Sequence, residues 1–92
     1  MKFPPRPLRD LHLGKRGRLS PVEAFAQVLR ERRLELGLTQ SDLENDETLD
    51  RSYISKLKLA KREVGLVAFI HLAGKLRSGP WELMREVVNR ME

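Results

Sequence analysis

The sequence predicts an all-α domain of five helices. Three observations lead there. From residue 20 onward, apolar residues recur every three or four positions; helix start and stop signals punctuate those runs; and no alternating, strand-like run of any length is present.

The first helix opens at Ser20-Pro21-Val22-Glu23. Serine can cap, proline suits the first helical position, and the glutamate can bond back to the backbone of the cap. At 100° per residue, Val22, Phe25, Ala26, Leu29 and Leu36 share one face, and Gly37 supplies a left-handed stop. Arg33 falls on that same face, so it is expected to be partly buried and to need a carboxylate. Thr39 and Asp42 mark a second, short helix that keeps Leu43 as its apolar anchor and fades near Asn45-Asp46. Asp50 begins a third, with Ile54 and Leu57 turned inward and Tyr53 facing inward or toward a rim. Lys61 to Gly65 reads as a loop. A fourth helix places Leu66, Phe69, Ile70, Ala73 and Leu76 on one face.

Gly79-Pro80 starts the fifth helix. Its apolar residues, Trp81, Leu83, Met84, Val87, Val88 and Met91, cover an arc of about 160°. One packing face needs only about 100°. One side is therefore expected to meet the core, while Trp81, Met84, Val88 and Met91 form a seam with a second copy.

With 92 residues the chain has room for one small domain, and 40% apolar with 34% charged residues is a globular balance. Cysteine is absent, which excludes disulfide frameworks, thiolate zinc sites and thiol catalysis. No apolar run approaches the roughly 18–20 residues of a membrane span, and no secretory segment follows the start. A soluble, cytoplasmic protein is expected. The formal charge of +5 is unevenly placed: Lys2, Arg6, Arg9, Lys15, Arg16 and Arg18 face Asp10 alone in residues 1–19, so the leader holds the whole excess. That leader carries Pro4, Pro5, Pro7, Gly14 and Gly17 and is expected to be an extended or disordered arm that either contacts DNA or aids solubility. The ordered domain then spans residues 20–92.

No residue set has the makings of an enzyme. His12 and His71 stand alone, without a ligand cluster, and Ser20, Ser41 and Ser78 fall at caps or turns. No metal and no cofactor is expected.

What remains is a pattern of two short helices joined by a turn, the second with an apolar inner stripe, Ile54 and Leu57, and a polar outer stripe. That outer stripe is Arg51, Ser52, Ser55 and Lys56. An exposed stripe of this kind can enter a major groove, where arginine pairs with guanine O6 and N7 and serine reads donors or acceptors.

The stretch from Phe25 to Leu83 resembles the lambda-repressor-like (Cro/repressor, XRE-type) helix-turn-helix family. The resemblance rests on Leu29, Arg30, Arg33, Gly37, Leu38, Thr39, Gln40 and Leu43, on Ile54-Ser55 at the family's distance from Thr-Gln, and on Arg62, Leu66, Phe69, Leu72-Ala73, Leu76 and Glu82-Leu83 in register. It implies a five-helix DNA-binding domain that binds a palindromic operator as a homodimer and regulates transcription, usually as a repressor. It further implies that Thr39 and Gln40 meet a backbone phosphate and that Arg51, Ser52, Ser55 and Lys56 face base edges. Lys58, Lys61 and Arg62 would hold phosphates beyond, and Tyr53 would either pack on the turn or offer its hydroxyl to phosphate.

Three positions depart from the family pattern. Glu44 stands where alanine is usual, Thr48 where glycine gives the turn a positive φ, and Lys58 where glutamate pairs with the arginine seen here as Arg33. Thr48 implies either strain or a reshaped turn, and Glu44 or Glu47 is expected to replace the lost partner of Arg33. Two other classes stay open: an antitoxin that also captures a cognate toxin, and a protein-interaction module whose acidic turn, Glu44, Asp46, Glu47 and Asp50, has abolished DNA binding.

Overall fold

Ser20 caps the first helix as expected. Its hydroxyl accepts from the Glu23 N–H at 3.1 Å while the Glu23 carboxylate accepts from the Ser20 N–H at 2.9 Å, closing a capping box ahead of Pro21. A computed structural model describes residues 19–45 and 47–91; the expected arm, apart from Leu19, and Asp46 of the acidic turn lie outside them. Within the described residues the chain is all-α, with helices α1 (Pro21–Glu35), α2 (Arg51–Lys58), α3 (Leu66–Lys75) and α4 (Pro80–Met91) and no strand. No helix among these residues is long and apolar enough to cross a membrane.

The second expected helix is reduced to a 3-10 turn at Ser41–Leu43, so four α-helices stand where five were expected. Its start signal works: the Thr39 N–H donates to Asp42 Oδ2 at 2.8 Å and the Asp42 N–H to Thr39 Oγ1 at 3.2 Å. Hydrogen bonding from the Thr39 backbone N–H, and after it from the Thr39 side chain, holds the Asp42 carboxyl below its ordinary range. The helix cannot continue because Asn45 takes over the backbone beyond it. Asn45 Oδ1 accepts from the N–H groups of Glu47, Thr48 and Leu49 at 3.0, 2.8 and 2.9 Å, and the Asn45 N–H donates to the Leu49 carbonyl at 2.9 Å. Glu44 is already extended, with ψ 152°. The same bonds answer the question of Thr48, which avoids positive φ in a reshaped turn.

Three helices end alike. After α1, α2 and α3 the chain turns through a left-handed residue, Gly37 (φ 69°), Ala60 (φ 57°) and Arg77 (φ 55°). At each end the next N–H reaches back to the carbonyl of Arg33, Lys56 or Ala73 at 2.8–2.9 Å, a Schellman closure. Only glycine adopts that φ without strain; alanine is held there at a cost of about 1–2 kcal/mol. Ala60→Gly is therefore expected to raise stability by about 0.5–1 kcal/mol, the relief being partly offset by glycine's greater freedom in the unfolded chain. Urea unfolding measures this, and a lowered midpoint would contradict it.

The core joins Phe25, Val28 and Leu29 of α1, Leu43 and Leu49 of the connecting segment, Ile54 and Leu57 of α2, Phe69, Leu72 and Leu76 of α3, and Leu83, Val87 and Met91 of α4. Phe25 and Phe69 meet at 5.7 Å between ring centres, tilted by 46°. Two expectations are corrected here. Leu66 and Ile70, assigned to the inner face of α3, point outward. Met91, assigned to the outer seam of the last helix, is 4% exposed and packs in the core: α4 lies along α1, and its final turn falls on the inner side.

Arg33 also differs from expectation. Its guanidinium donates to the Leu38 carbonyl at 2.8 Å rather than to Glu44 or Glu47, so the chain end of α1 supplies the acceptor. Carboxylates instead tie α4 to α1. Arg90 grips Glu31 with two bonds, at 2.7 and 2.9 Å, and reaches Gln27 at 2.7 Å; Arg32 bonds Glu86 at 3.4 Å and the Leu76 carbonyl at 3.0 Å.

The bonds from Arg90 hold the Glu31 carboxyl below its ordinary value of 4.5, and those from Ser20 do the same for Glu23. A carboxyl depressed in the folded state contributes stability that is complete above its unfolded value and is lost as pH falls through its folded one. Stability is therefore expected to begin to decline as pH falls below about 4.5. In Arg90→Met the Glu31 titration, followed by NMR, is expected to move up toward its ordinary value; an unmoved curve would exclude the ion pair as the cause.

Candidate nucleic-acid interface

Asp50 starts α2, its carboxylate accepting from the Tyr53 N–H at 2.7 Å, and this cap sets the rotation of the helix. Ile54 and Leu57 then fall in the core. At 100° per residue the opposite side is Arg51, Ser52, Ser55 and Lys56. Arg51, Ser52 and Lys56 are exposed and Ser55 is half-buried. The stripe is a ridge with open ground on both flanks. One concavity is lined by Gln40, Arg51, Ser52, Ser55, Lys56, Leu59 and Lys61. The other runs from Thr48 through Ser52, Tyr53, Lys56 and Arg62 to Gly65 and the first turn of α3. Glu44 shares a third hollow with Gln40, Ser41 and Arg51, so a carboxylate stands beside the arginine end of the ridge.

Around the ridge, each expected contact residue has a definite place. Thr39 is exposed but spends its N–H and hydroxyl on Asp42. Gln40 spans the helix: its Nε2 donates to the Arg51 carbonyl at 3.3 Å and its Oε1 accepts from Lys58 Nζ at 2.9 Å. Lys58, expected on a phosphate, is half-buried and committed to Gln40. The lysine therefore contacts Gln40 and leaves Arg33 to the Leu38 carbonyl. Lys61 and Arg62 are exposed, as a phosphate role requires.

Of the two roles left open for Tyr53, packing is the one with contacts here: the side chain is half-buried against the core. Its ring packs under Arg62, whose guanidinium carbon sits 5.2 Å from the ring centre. Its hydroxyl accepts from the Gly65 N–H at 2.8 Å. Gly65 precedes α3 without a side-chain cap, so the first N–H groups of α3 face the same concavity as Lys56 and Arg62.

Two supporting residues were not singled out from the sequence. Asn45 shapes the turn into α2 through three backbone bonds. His71, reaching across from α3, braces that turn with its Nδ1 2.8 Å from Thr48 Oγ1. Asn45 acts on the backbone two to four residues on, so its signal is local, whereas His71 acts through Thr48, a partner that only folding brings near. Among the described residues no three His, Asp or Glu side chains gather to hold a metal. On α4, Trp81 is 70% exposed, Met84 is exposed and Val88 is half-buried, so the outer side of that helix is apolar as expected, without Met91.

Comparison with family models, curated proteins and solved structures returns no match. The geometry of the ridge and its flanks is what bears on function.

Proposed function

We propose that the protein is a sequence-specific DNA-binding regulator of transcription, acting in the cytoplasm as a repressor through a helix-turn-helix of the lambda-repressor-like kind. The observation that carries this reading is the ridge of Arg51, Ser52, Ser55 and Lys56, backed by Ile54 and Leu57 and open on both sides. An α-helix with that surface fits the major groove of B-DNA, with Arg51 placed for guanine and the serines for either donors or acceptors. Lys61 and Arg62 are exposed just beyond α2, and contacts from them to flanking phosphates would supply affinity without reading sequence.

Two copies joined through Trp81, Met84 and Val88 of α4 would present two ridges about 34 Å apart, matching a palindromic operator. Affinity would fall steeply with salt, because each phosphate neutralised releases a counterion.

Selection of bound sites from random duplex DNA tests the reading. A palindrome with half-sites one turn apart is the expected product, and no enrichment at any salt concentration would reject it.

A further inference from the structure

α3 is apolar almost all round. Its inner side, Phe69, Leu72, Ala73 and Leu76, lies in the core, while Leu66, Val67 and Ile70 are 74, 57 and 48% exposed on the outer side. A helix apolar on both sides calls for cover on both. Leu66 and Val67 also form one wall of the open concavity beside α2, a space of about 570 Å³. Across it stand Lys56 and Arg62, the latter seated on the Tyr53 ring. Asp50 lines the same space with its carboxylate, one oxygen of which accepts from the Tyr53 N–H, so two cations face one carboxylate and the rim is net positive. Glu63, next in the chain to Arg62, is exposed outside it. The groove thus pairs an aliphatic wall with a cationic rim.

Charge decides what can fill it. A second copy meeting this face across a two-fold axis would set one net-positive rim against another. The leader of the same chain is basic and is repelled in the same way. Duplex DNA satisfies the rim but offers no aliphatic surface to Leu66, Val67 and Ile70.

We propose that this groove and the adjoining exposed side of α3 are a docking site for an acidic amphipathic segment of a partner protein, with aliphatic side chains on Leu66 and Val67 in the groove and on Ile70 one turn along α3, and carboxylates on Lys56 and Arg62. Helix-in-groove recognition has this chemistry. Since Lys56 belongs to the ridge, the segment and DNA exclude each other; this last point alone rests on the DNA-binding reading. Partner binding then releases the regulator from its operator.

The test uses the full chain and a short helix-forming peptide with leucines on one side and glutamates on the other. Two controls replace leucine by serine or glutamate by lysine. The leucine–glutamate peptide is expected to bind at least about tenfold more tightly than either control, to shift the methyl signals of Leu66, Val67 and Ile70, and to displace duplex DNA. Leu66→Ser/Ile70→Ser, both exposed and outside the core, is expected to lose that preference while retaining DNA affinity. Equal binding of the serine control, no binding at all, or shifts confined to Trp81 and Met84 would overturn the docking site. So would a changed association state of the double variant, which would give the face to a second copy. A chain that binds the peptide but no duplex would refute the DNA reading and leave the groove standing.

Discussion

Arg51→Ala is expected to weaken binding to the selected operator by about 1–3 kcal/mol while leaving binding to unrelated duplex nearly unchanged. The contrast follows from where the side chain lies. Arg51 is exposed at the first position of α2, on the ridge and away from the core. Its link to Gln40 runs through its backbone carbonyl, which alanine keeps. A positive charge at a helix N-terminus opposes the helix dipole, so stability should hold or rise slightly. A loss of operator affinity therefore reports base contact rather than misfolding. Lys61→Ala provides the comparison: a phosphate contact should weaken all duplexes alike and flatten the salt dependence by about one counterion. Equal losses on operator and unrelated DNA would demote Arg51 to a phosphate contact. Unchanged retention on every duplex would favour the interaction-module class instead.

The ridge was legible in the sequence because its two determinants are local. Asp50 caps from three residues away, and Ile54 and Leu57 are separated by three positions on one helix, so the orientation of Arg51 and Lys56 follows from spacing alone. The same holds for Ser20 and Glu23 at the start of α1. Where the competing signal was local but weaker, the reading slipped: Thr39 and Asp42 do form their start, yet Asn45 draws the backbone away after one turn. The left-handed ends at Ala60 and Arg77 had no glycine to announce them. α3 was the hardest element to orient, since a helix apolar on nearly every side gives no periodic contrast. Packing against α1, α4 and the connecting segment selects Phe69 and Leu72 over Leu66 and Ile70. The Lys58–Gln40 contact joins residues far apart in sequence and follows from the folded positions of both ends of α2.

The largest effect is expected inside the domain, in Leu57→Ala. Leu57 is fully enclosed with Leu43, Leu49 and Ile54 among the core residues beneath the ridge, so truncation removes apolar contact and leaves a cavity, at a cost of about 2–5 kcal/mol. For a small domain with total stability of roughly 5–15 kcal/mol that is a large share, and at about 4–8 °C per kcal/mol the melting temperature should fall by at least about 10 °C. Leu59→Ala, the same substitution two residues on, should change stability by no more than about 0.5 kcal/mol because Leu59 is exposed. The pair measures how α2 is turned. If both cost the same, Leu57 does not anchor the helix, and Arg51, Ser52, Ser55 and Lys56 no longer share a free face. If the costs separate as stated, operator binding by Leu57→Ala should be retained at low temperature and disappear in step with unfolding on warming, since the variant leaves the ridge itself intact.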